Sequence, residues 1–245
     1  MKSLLGLLVL IFTFGCDVVN FENGNGDITS DKRGTDSFTT IQLIGNYEIG
    51  LKQGPKEQIV IVTDSNLLEY IDTETEGDVL IIENSKKIKS DAGVKIYITY
   101  QQLEGIKSVG ASIIRSEAPI RSERLELEVP GATLIDLEID VRDLDIVLAG
   151  AGSIRLKGKV ESQSVALRGV GNLEAFDLES QSCQVEVSGM GGAEVYVKEN
   201  LHARVNGVGS IKYQGDPLTV DDKVSGIGTI ESVDADEMDR QVESI

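Results

Sequence analysis

Carboxylates are the most numerous residues of this chain that could do chemistry. Several alternate along one strand-like segment, where an acid and a base could be aligned for glycoside hydrolysis or for calcium binding. That segment contains Asp136, Glu138, Asp140, Asp143 and Asp145. It matches no EF-hand loop and no nonapeptide calcium repeat, so we interpret these side chains as solvated outer faces. The acidic run Asp234–Asp239 is interpreted in the same way, as a polar end cap or tail.

Histidine and cysteine are too few for the commoner catalytic and metal sites. His202 is the only histidine, which excludes a His-based metal site and argues against a Ser-His-Asp triad. Cys183 lies in an alternating segment and is predicted to be a packed free thiol. Only one other cysteine exists, Cys16, so the count excludes a disulfide framework. We predict no catalytic residue, no metal and no cofactor.

The N-terminus has the pattern of a secretory signal peptide. Lys2 is followed by the apolar run Leu4–Phe14, which is too short to span a bilayer, and then by Gly15 and Cys16. A cysteine at this point resembles a bacterial lipoprotein signal, in which residues 1–15 are removed and Cys16 is acylated. The alternative is ordinary cleavage nearby. We favour lipidation, with residues 16–37 as a flexible polar tether to the cell envelope, at the outer membrane.

Five Gly-x-Gly tripeptides recur at intervals of 18 to 20 residues in the second half of the chain. A fixed period of this size indicates one supersecondary unit stacked on copies of itself. None of the tripeptides has the third glycine of a phosphate-binding loop, and none opens a helix, so we predict structural roles at chain corners. The ten glycines are Gly150, Gly152, Gly169, Gly171, Gly189, Gly191, Gly207, Gly209, Gly226 and Gly228.

Segments around each glycine pair alternate between apolar and polar residues, as in Gln184–Gly189 (QVEVSG), which is the period of a half-buried strand. No helical stripe separates them, so parallel strands must be connected by wrapping around one axis. The sequence therefore predicts an all-β fold, a parallel β-helix with coils of about 19 residues. Four residues are predicted to stack inside: Ile154, Leu173, Val195 and Ile211.

The residue between each pair of glycines is apolar, and copies of it would stack about 4.8 Å apart along a β-helix. The five residues are Ala151, Val170, Met190, Val208 and Ile227. Two interpretations are open. The ladder lines the core at a corner, which we favour, or it faces outward as a stripe for self-association or partner binding, as strict strand alternation would place it.

The first half is β-rich without being repetitive. Turn signals separate five predicted strands, and a short helix is predicted at Asn66–Ile71. The strands are Thr40–Leu43, Tyr47–Leu51, Gln58–Thr63, Val79–Glu83 and Val94–Tyr100. No linker follows, so residues 38–231 are predicted to form one elongated domain with 38–100 as its starting coils, before an acidic tail at 232–245.

Several of these segments together resemble the head GIN domain family, whose members are described as putative auto-transporter adhesins. The resemblance is strongest in LKQG (51–54), DSNLLEYI (64–71), VKIYITYQQLEGIKSVGAS (94–112) and GVGSIKYQGDP (207–217). It implies a right-handed β-helix in secreted or lipid-anchored proteins of Bacteroidetes-type bacteria, without catalytic residues. Pro130-Gly131 departs from the family's glycine pairs, so this coil is expected to be irregular.

The composition narrows the function classes. A net charge of −18 argues against binding to nucleic acid or to anionic membrane surfaces. Aromatic residues are 4% of the chain and tryptophan is absent, which disfavours a sugar-stacking platform. We predict a lipid-anchored, non-catalytic binding or adhesin-like module with a protein or glycan partner. The alternatives are an envelope assembly protein that forms homo-oligomers through its β-helix and, less favoured, a polysaccharide-active enzyme.

Overall fold

The chain forms a stack of parallel β coils around one axis. We describe it from a computed structural model, which covers residues 21–234. Seventeen strands form one continuous sheet, and roughly seven coils of about 19 residues make up the solenoid. The predicted parallel β-helix is confirmed. The predicted signal peptide, Cys16 and the run after Asp234 lie outside the described residues.

The strands are numbered in chain order, with one 3-10 helix at Ser65–Tyr70. Their bounds are β1 Glu22–Asn23, β2 Ile28–Arg33, β3 Thr40–Ile44, β4 Asn46–Gln53, β5 Gln58–Asp64, β6 Ile71–Glu76, β7 Val79–Asn84, β8 Ile88–Lys89, β9 Lys95–Tyr100, β10 Gly105–Ser108, β11 Ala111–Ser116, β12 Ile120–Val129, β13 Ala132–Leu148, β14 Ala151–Leu167, β15 Val170–Val187, β16 Met190–Val205, β17 Val208–Gln214, β18 Thr219–Val224 and β19 Ile227–Ser232.

Antiparallel strands close the N-terminal end of the solenoid. Strands β3 and β4 pair in parallel with β10 and β11 on one side and with β7 and β9 on the other. Beyond them, β6 runs antiparallel to β7, β5 to β9, and β2 to β5. The 3-10 helix packs against β2, β5 and β6 with Leu67 buried, so the first coils have a covered end.

Two features of this end differ from the sequence prediction. The predicted flexible tether, residues 16–37, contains β2, which pairs with β5 over six residues. Strand β2 forms despite its weak apolar alternation because its backbone pairs with β5 and because the Arg33 guanidinium donates a hydrogen bond to the Leu68 carbonyl at 3.0 Å. The predicted helix is a 3-10 helix one residue earlier, at Ser65–Tyr70.

The central coils are long strands that turn through corners without loops. Strands β13 to β16 are 17, 17, 18 and 16 residues long. Contrary to expectation, the coil after Pro130-Gly131 is regular, with β13 and β14 in continuous register from Ala132 to Leu148. Thr133 occupies the place of the second glycine, where its buried hydroxyl bonds Ser108 at 2.7 Å. Register shifts occur later instead, between Arg155 and Gly158.

Aliphatic ladders fill the interior. Ile154, Leu173, Ala193 and Ile211 are paired coil to coil, and each is buried. Val195 is also buried, as predicted, and belongs to the next inward ladder, two residues further along the strand, where it pairs with Ala175.

Candidate functional site: a charge-poor strip along the glycine corner

The residues between the paired glycines form a ladder that faces solvent. Val170, Met190, Val208 and Ile227 are 52%, 55%, 48% and 74% exposed. The interpretation that this ladder lines the core was therefore wrong, and the outward alternative describes it. The alternation of β14 to β16 continues unbroken through the corner, which is why these side chains point away from the core.

Close approach of successive coils produces this arrangement. At the first glycine of each pair, a Cβ atom would overlap the carbonyl oxygen of the equivalent glycine one coil earlier, as at Gly207 above Gly189. The second glycine meets the preceding backbone in the same way, as at Gly209 above Gly191. The amide of the residue between them donates a hydrogen bond to the preceding coil, as the Val208 amide does to the Gly189 carbonyl at 2.9 Å. The ladder is thus held by rigid backbone.

The ladder is the middle of a strip three residues wide, which we call the corner strip. Its middle column, from the N-terminal to the C-terminal coil, is Ala111, Ala132, Ala151, Val170, Met190, Val208 and Ile227. The column two residues earlier is Val109, Pro130, Ala149, Arg168, Ser188, Asn206 and Ser225. The column two residues later is Ile113, Leu134, Ser153, Asn172, Gly192, Ser210 and Thr229.

The corner strip contains one charged residue, Arg168, in a chain of which 26% is charged. Val109 and Leu134 add to its apolar surface, at 41% and 51% exposed. The largest contiguous apolar patch on a monomer is typically about 300 to 600 Å² and often marks a contact site. Depletion of charge is also the compositional sign of an interface centre. We therefore treat the corner strip as the candidate functional site.

Other outward ladders are charged, and their ion pairs run from coil to coil. The Arg155 guanidinium lies 2.6 Å from the Glu174 carboxylate, in the column beside the corner strip. Lys198 lies 2.7 Å from Glu179, and its hydrogen bond lowers the pKa of the Glu179 carboxyl. Because such exposed pairs are screened by solvent, they balance charge more than they stabilise the fold.

The carboxylates proposed for chemistry are distributed over different faces. Asp136 pairs in register with Arg155, Asp140 lies 3.7 Å from Arg121, and Asp145 lies 2.8 Å from Arg124. Glu138 and Asp143 also have cationic partners, in a lysine and an arginine. Residues 21–234 bring no three His, Cys, Asp or Glu side chains together as a metal site. The arrangement offers paired surface carboxylates rather than an acid and a base.

His202 is half-buried and shares a partner with Arg204. Its Nδ1 atom lies 2.9 Å from the Asp221 carboxylate, which Arg204 also contacts at 2.7 Å. The hydrogen bond from Arg204 is the main cause that lowers the pKa of Asp221. Among the hydrogen bonds of the described residues, none joins His202 to a serine or threonine hydroxyl. The histidine therefore lacks the nucleophile that a triad requires.

Cys183 is a core residue. It is 3% exposed, and burial raises the pKa of its thiol. A thiol in such surroundings is inert.

The sequence predicts the corner strip in part, because the residue between each pair of glycines is apolar. Sequence reasoning missed the flanking columns, although the repeat contains their signal: of the residues two positions before and after the ladder, only Arg168 is charged.

The matching family model is described as "Putative auto-transporter adhesin, head GIN domain" and covers residues 37–217. The solved structures to which this chain is similar include a putative adhesin from Bacteroides fragilis. The two are 26% identical, with a TM-score of 0.82, over 86% of this chain and 100% of that one. No curated protein matches.

Two further solved structures share the fold at lower identity. A putative lipid binding protein from Parabacteroides distasonis is 24% identical, with a TM-score of 0.70, over 88% of this chain and 100% of that one. A putative adhesin from Parabacteroides merdae is 21% identical, with a TM-score of 0.64, over 87% and 99%. Within residues 21–234, no helix has the length and apolar character needed to span a bilayer.

Proposed function

The chain belongs to the head GIN domain family of putative auto-transporter adhesins, and from that premise we propose that it is a non-catalytic binding module of the cell envelope. The corner strip is its contact surface. The observation that supports this most directly is the outward apolar ladder, with Val170, Met190, Val208 and Ile227 each about half exposed or more. Exposed side chains of this kind contribute most when a partner removes them from water.

The rest of the surface supports a binding role over an enzymatic one. Glu138, Asp140, Asp143 and Asp145 each have a cationic partner. The depression beside His202 is shallow, with a volume of 380 Å³. Hydrolysis of a glycan needs an acid and a base held about 5 to 10 Å apart across a substrate. If Asp136→Asn or Asp145→Asn abolished a measurable activity on envelope glycans, the non-catalytic proposal would be wrong.

Binding is tested by capture from intact envelopes. A tagged full chain is cross-linked in place, and captured proteins and glycans are compared with those of Val170→Glu/Val208→Glu. The matched control is Ser164→Glu/Gln184→Glu, which adds the same two charges at exposed positions on another face. We expect the strip variant to lose partners that the control retains. Equal capture by both variants would contradict the role of the corner strip.

The mode of attachment is a separate part of the proposal. We propose that residues 1–15 are a signal peptide and that Cys16 carries the lipid that holds the domain at the outer membrane. Both parts of this proposal are supported by the sequence, in which Lys2 is followed by an apolar run and then by Gly15 and Cys16. Growth with a labelled fatty acid should label the wild type and leave Cys16→Ala unlabelled. Equal labelling of the two proteins would refute lipidation at this residue.

A further inference from the structure

The partner that best matches the corner strip is a second copy of the same strip. We propose that two chains pair side by side and parallel, with the twofold axis along the solenoid, so that each coil meets the same coil of its partner. This rests on the proposed function of the strip as a contact surface and names its occupant. The argument uses the repeat spacing, the order of side chains across the strip, and the charge of the remaining surface.

Spacing favours a partner built on the same repeat. Ladder residues follow each other at about 4.8 Å along the stack, because each is hydrogen-bonded to the coil before it, as Met190 is to Gly169 at 2.9 Å. A second strip has the same period, so all its side chains stay in step over the whole length. The rows of an α-helix repeat at about 5.4 Å and fall out of step by roughly 0.6 Å at every turn.

Side-chain order across the strip distinguishes parallel from antiparallel pairing. A parallel twofold places each residue of the earlier column opposite the later column of the same coil. Val109 then meets Ile113, and Pro130 meets Leu134, so that apolar side chains meet each other. In the C-terminal coils, small polar residues meet small polar residues, namely Ser188 with Gly192, Asn206 with Ser210 and Ser225 with Thr229.

Arg168 supports the same orientation. In the parallel pair it faces Asn172, whose amide oxygen can accept a hydrogen bond from a guanidinium. An antiparallel pair that overlaps all seven coils is centred on Val170 and would place Arg168 opposite its own copy, which costs free energy through like-charge repulsion. Parallel pairing also leaves both N-termini at the same end, as two chains anchored in one membrane require.

Charge favours this face over the neighbouring ladders as a surface for self-association. The chain carries a net charge of −18, and the outward ladders beside the strip contain carboxylates such as Glu174 and Glu194. Contact through those faces would remove charged side chains and their ion pairs from water, which costs free energy. The corner strip allows approach because Arg168 is its only charge, and that charge is positive.

The size of the strip predicts a weak contact in dilute solution. Six steps of about 4.8 Å give a length of about 29 Å, and four residues at about 3.3 Å give a width of about 13 Å. The resulting footprint, roughly 400 Å² per chain, lies below the ~800 Å² per partner of standard interfaces. Pairing should therefore depend on the high local concentration that a common membrane provides.

Cross-linking through one introduced cysteine, in the native envelope, tests the proposal. Full-length Val170→Cys and Val208→Cys are treated with a short bis-maleimide, and dimers are counted on gels. Ser164→Cys is the matched control, since it is exposed on another face, and the wild type measures the background of Cys16 and Cys183. We expect each strip variant to form a covalent dimer with itself at several times the yield of Ser164→Cys.

Each other outcome contradicts the proposal in a defined way. Self-dimers of Val170→Cys without self-dimers of Val208→Cys, together with dimers when Ala132→Cys and Val208→Cys are co-expressed, would indicate antiparallel pairing. Equal yields from Ser164→Cys and the strip variants would indicate random collision. If the strip variants form no dimers while the charged strip variant still loses captured partners, the second copy is excluded and the binding function stands.

Discussion

Replacement of Gly207 by valine tests the corner on which both proposals depend. A Cβ at this position would overlap the Gly189 carbonyl oxygen, and it would also press on the Ser188 carbonyl. The coils are about 4.8 Å apart, so relief of the overlap requires the upper coil to lift or slide by about 1 Å, an estimate from the close packing of such interiors. The perturbation is therefore a local separation of two coils.

The cost follows from the hydrogen bonds at this point. The Gly207 amide donates to Val187 at 3.0 Å and the Val208 amide donates to Gly189 at 2.9 Å. Loss of two such bonds, with their groups left partly unpaired, costs about 1 to 3 kcal/mol each. We expect Gly207→Val to lower the free energy of unfolding by about 3 to 5 kcal/mol. For a domain of this size that is a fall in Tm of about 10 °C.

Gly192→Ser is the matched control. Gly192 lies in the later column of the corner strip, where Ser153 and Ser210 occupy the equivalent positions, and a Cβ there would have 3.2 Å to its nearest neighbour. We expect a change within about 0.5 kcal/mol. Urea unfolding followed by far-UV circular dichroism measures both variants. If Gly207→Val melts within about one degree of wild type, the close-approach explanation of the glycine columns is wrong.

Three further outcomes are expected. Burial raises the pKa of Tyr100 to about 12 and also raises that of Tyr47, so both should stay protonated in the folded state when exposed tyrosines titrate near pH 10. Because the folded-state pKa values lie above the unfolded ones, the contribution of the two tyrosines to stability is complete below about pH 10 and falls as the pH rises through the folded-state values. Unfolding curves measured at alkaline pH would detect this fall. Cys183 should react with a thiol reagent at pH 8 only after unfolding, and reaction at the rate of a free thiol in the native state would contradict its burial. Leu173→Ala should lower the free energy of unfolding by about 2 to 5 kcal/mol by leaving a cavity in the inner ladder, and a loss under about 1 kcal/mol would mean that the coils collapse around it.

The repeat made the coils predictable from the sequence. The strands that cover the N-terminal end of the solenoid were not predictable in this way. Regular glycine spacing and period-2 alternation determine the coils from Ala132 to Ser232, since every coil repeats the same backbone contacts. Strands β2 and β6 had no comparable signal, because ITSDKR and IDTETE lack a clear apolar face and are held by pairing with distant segments. Long-range backbone pairing of this kind leaves little trace in the local sequence.

The candidate site was predictable only as an alternative, for a related reason. Alternation from Val165 and Leu167 pointed Val170 outward, but apolar character favoured the core. Strand alternation and apolar character give opposite predictions for the residue between the glycines. In the structure this residue points outward, as alternation predicts, because the close backbone contacts of the two glycines fix the strand direction on either side. A conflict between local character and position is what a functional surface is expected to produce.

Fold requirements do not account for the apolar residues of the ladder. Its backbone is held by amide hydrogen bonds that any residue except proline could make, and its side chains touch water, so serine, asparagine or lysine would satisfy the corner equally well. Exposed apolar surface instead carries a risk of aggregation. Side chains nevertheless enlarge along the stack, from Ala111, Ala132 and Ala151 to Val170, Met190, Val208 and Ile227. Folding gains only from the part of each side chain that the chain itself covers. Contact with another molecule is the simplest physical explanation of the exposed part, and that contact should be strongest at the C-terminal coils.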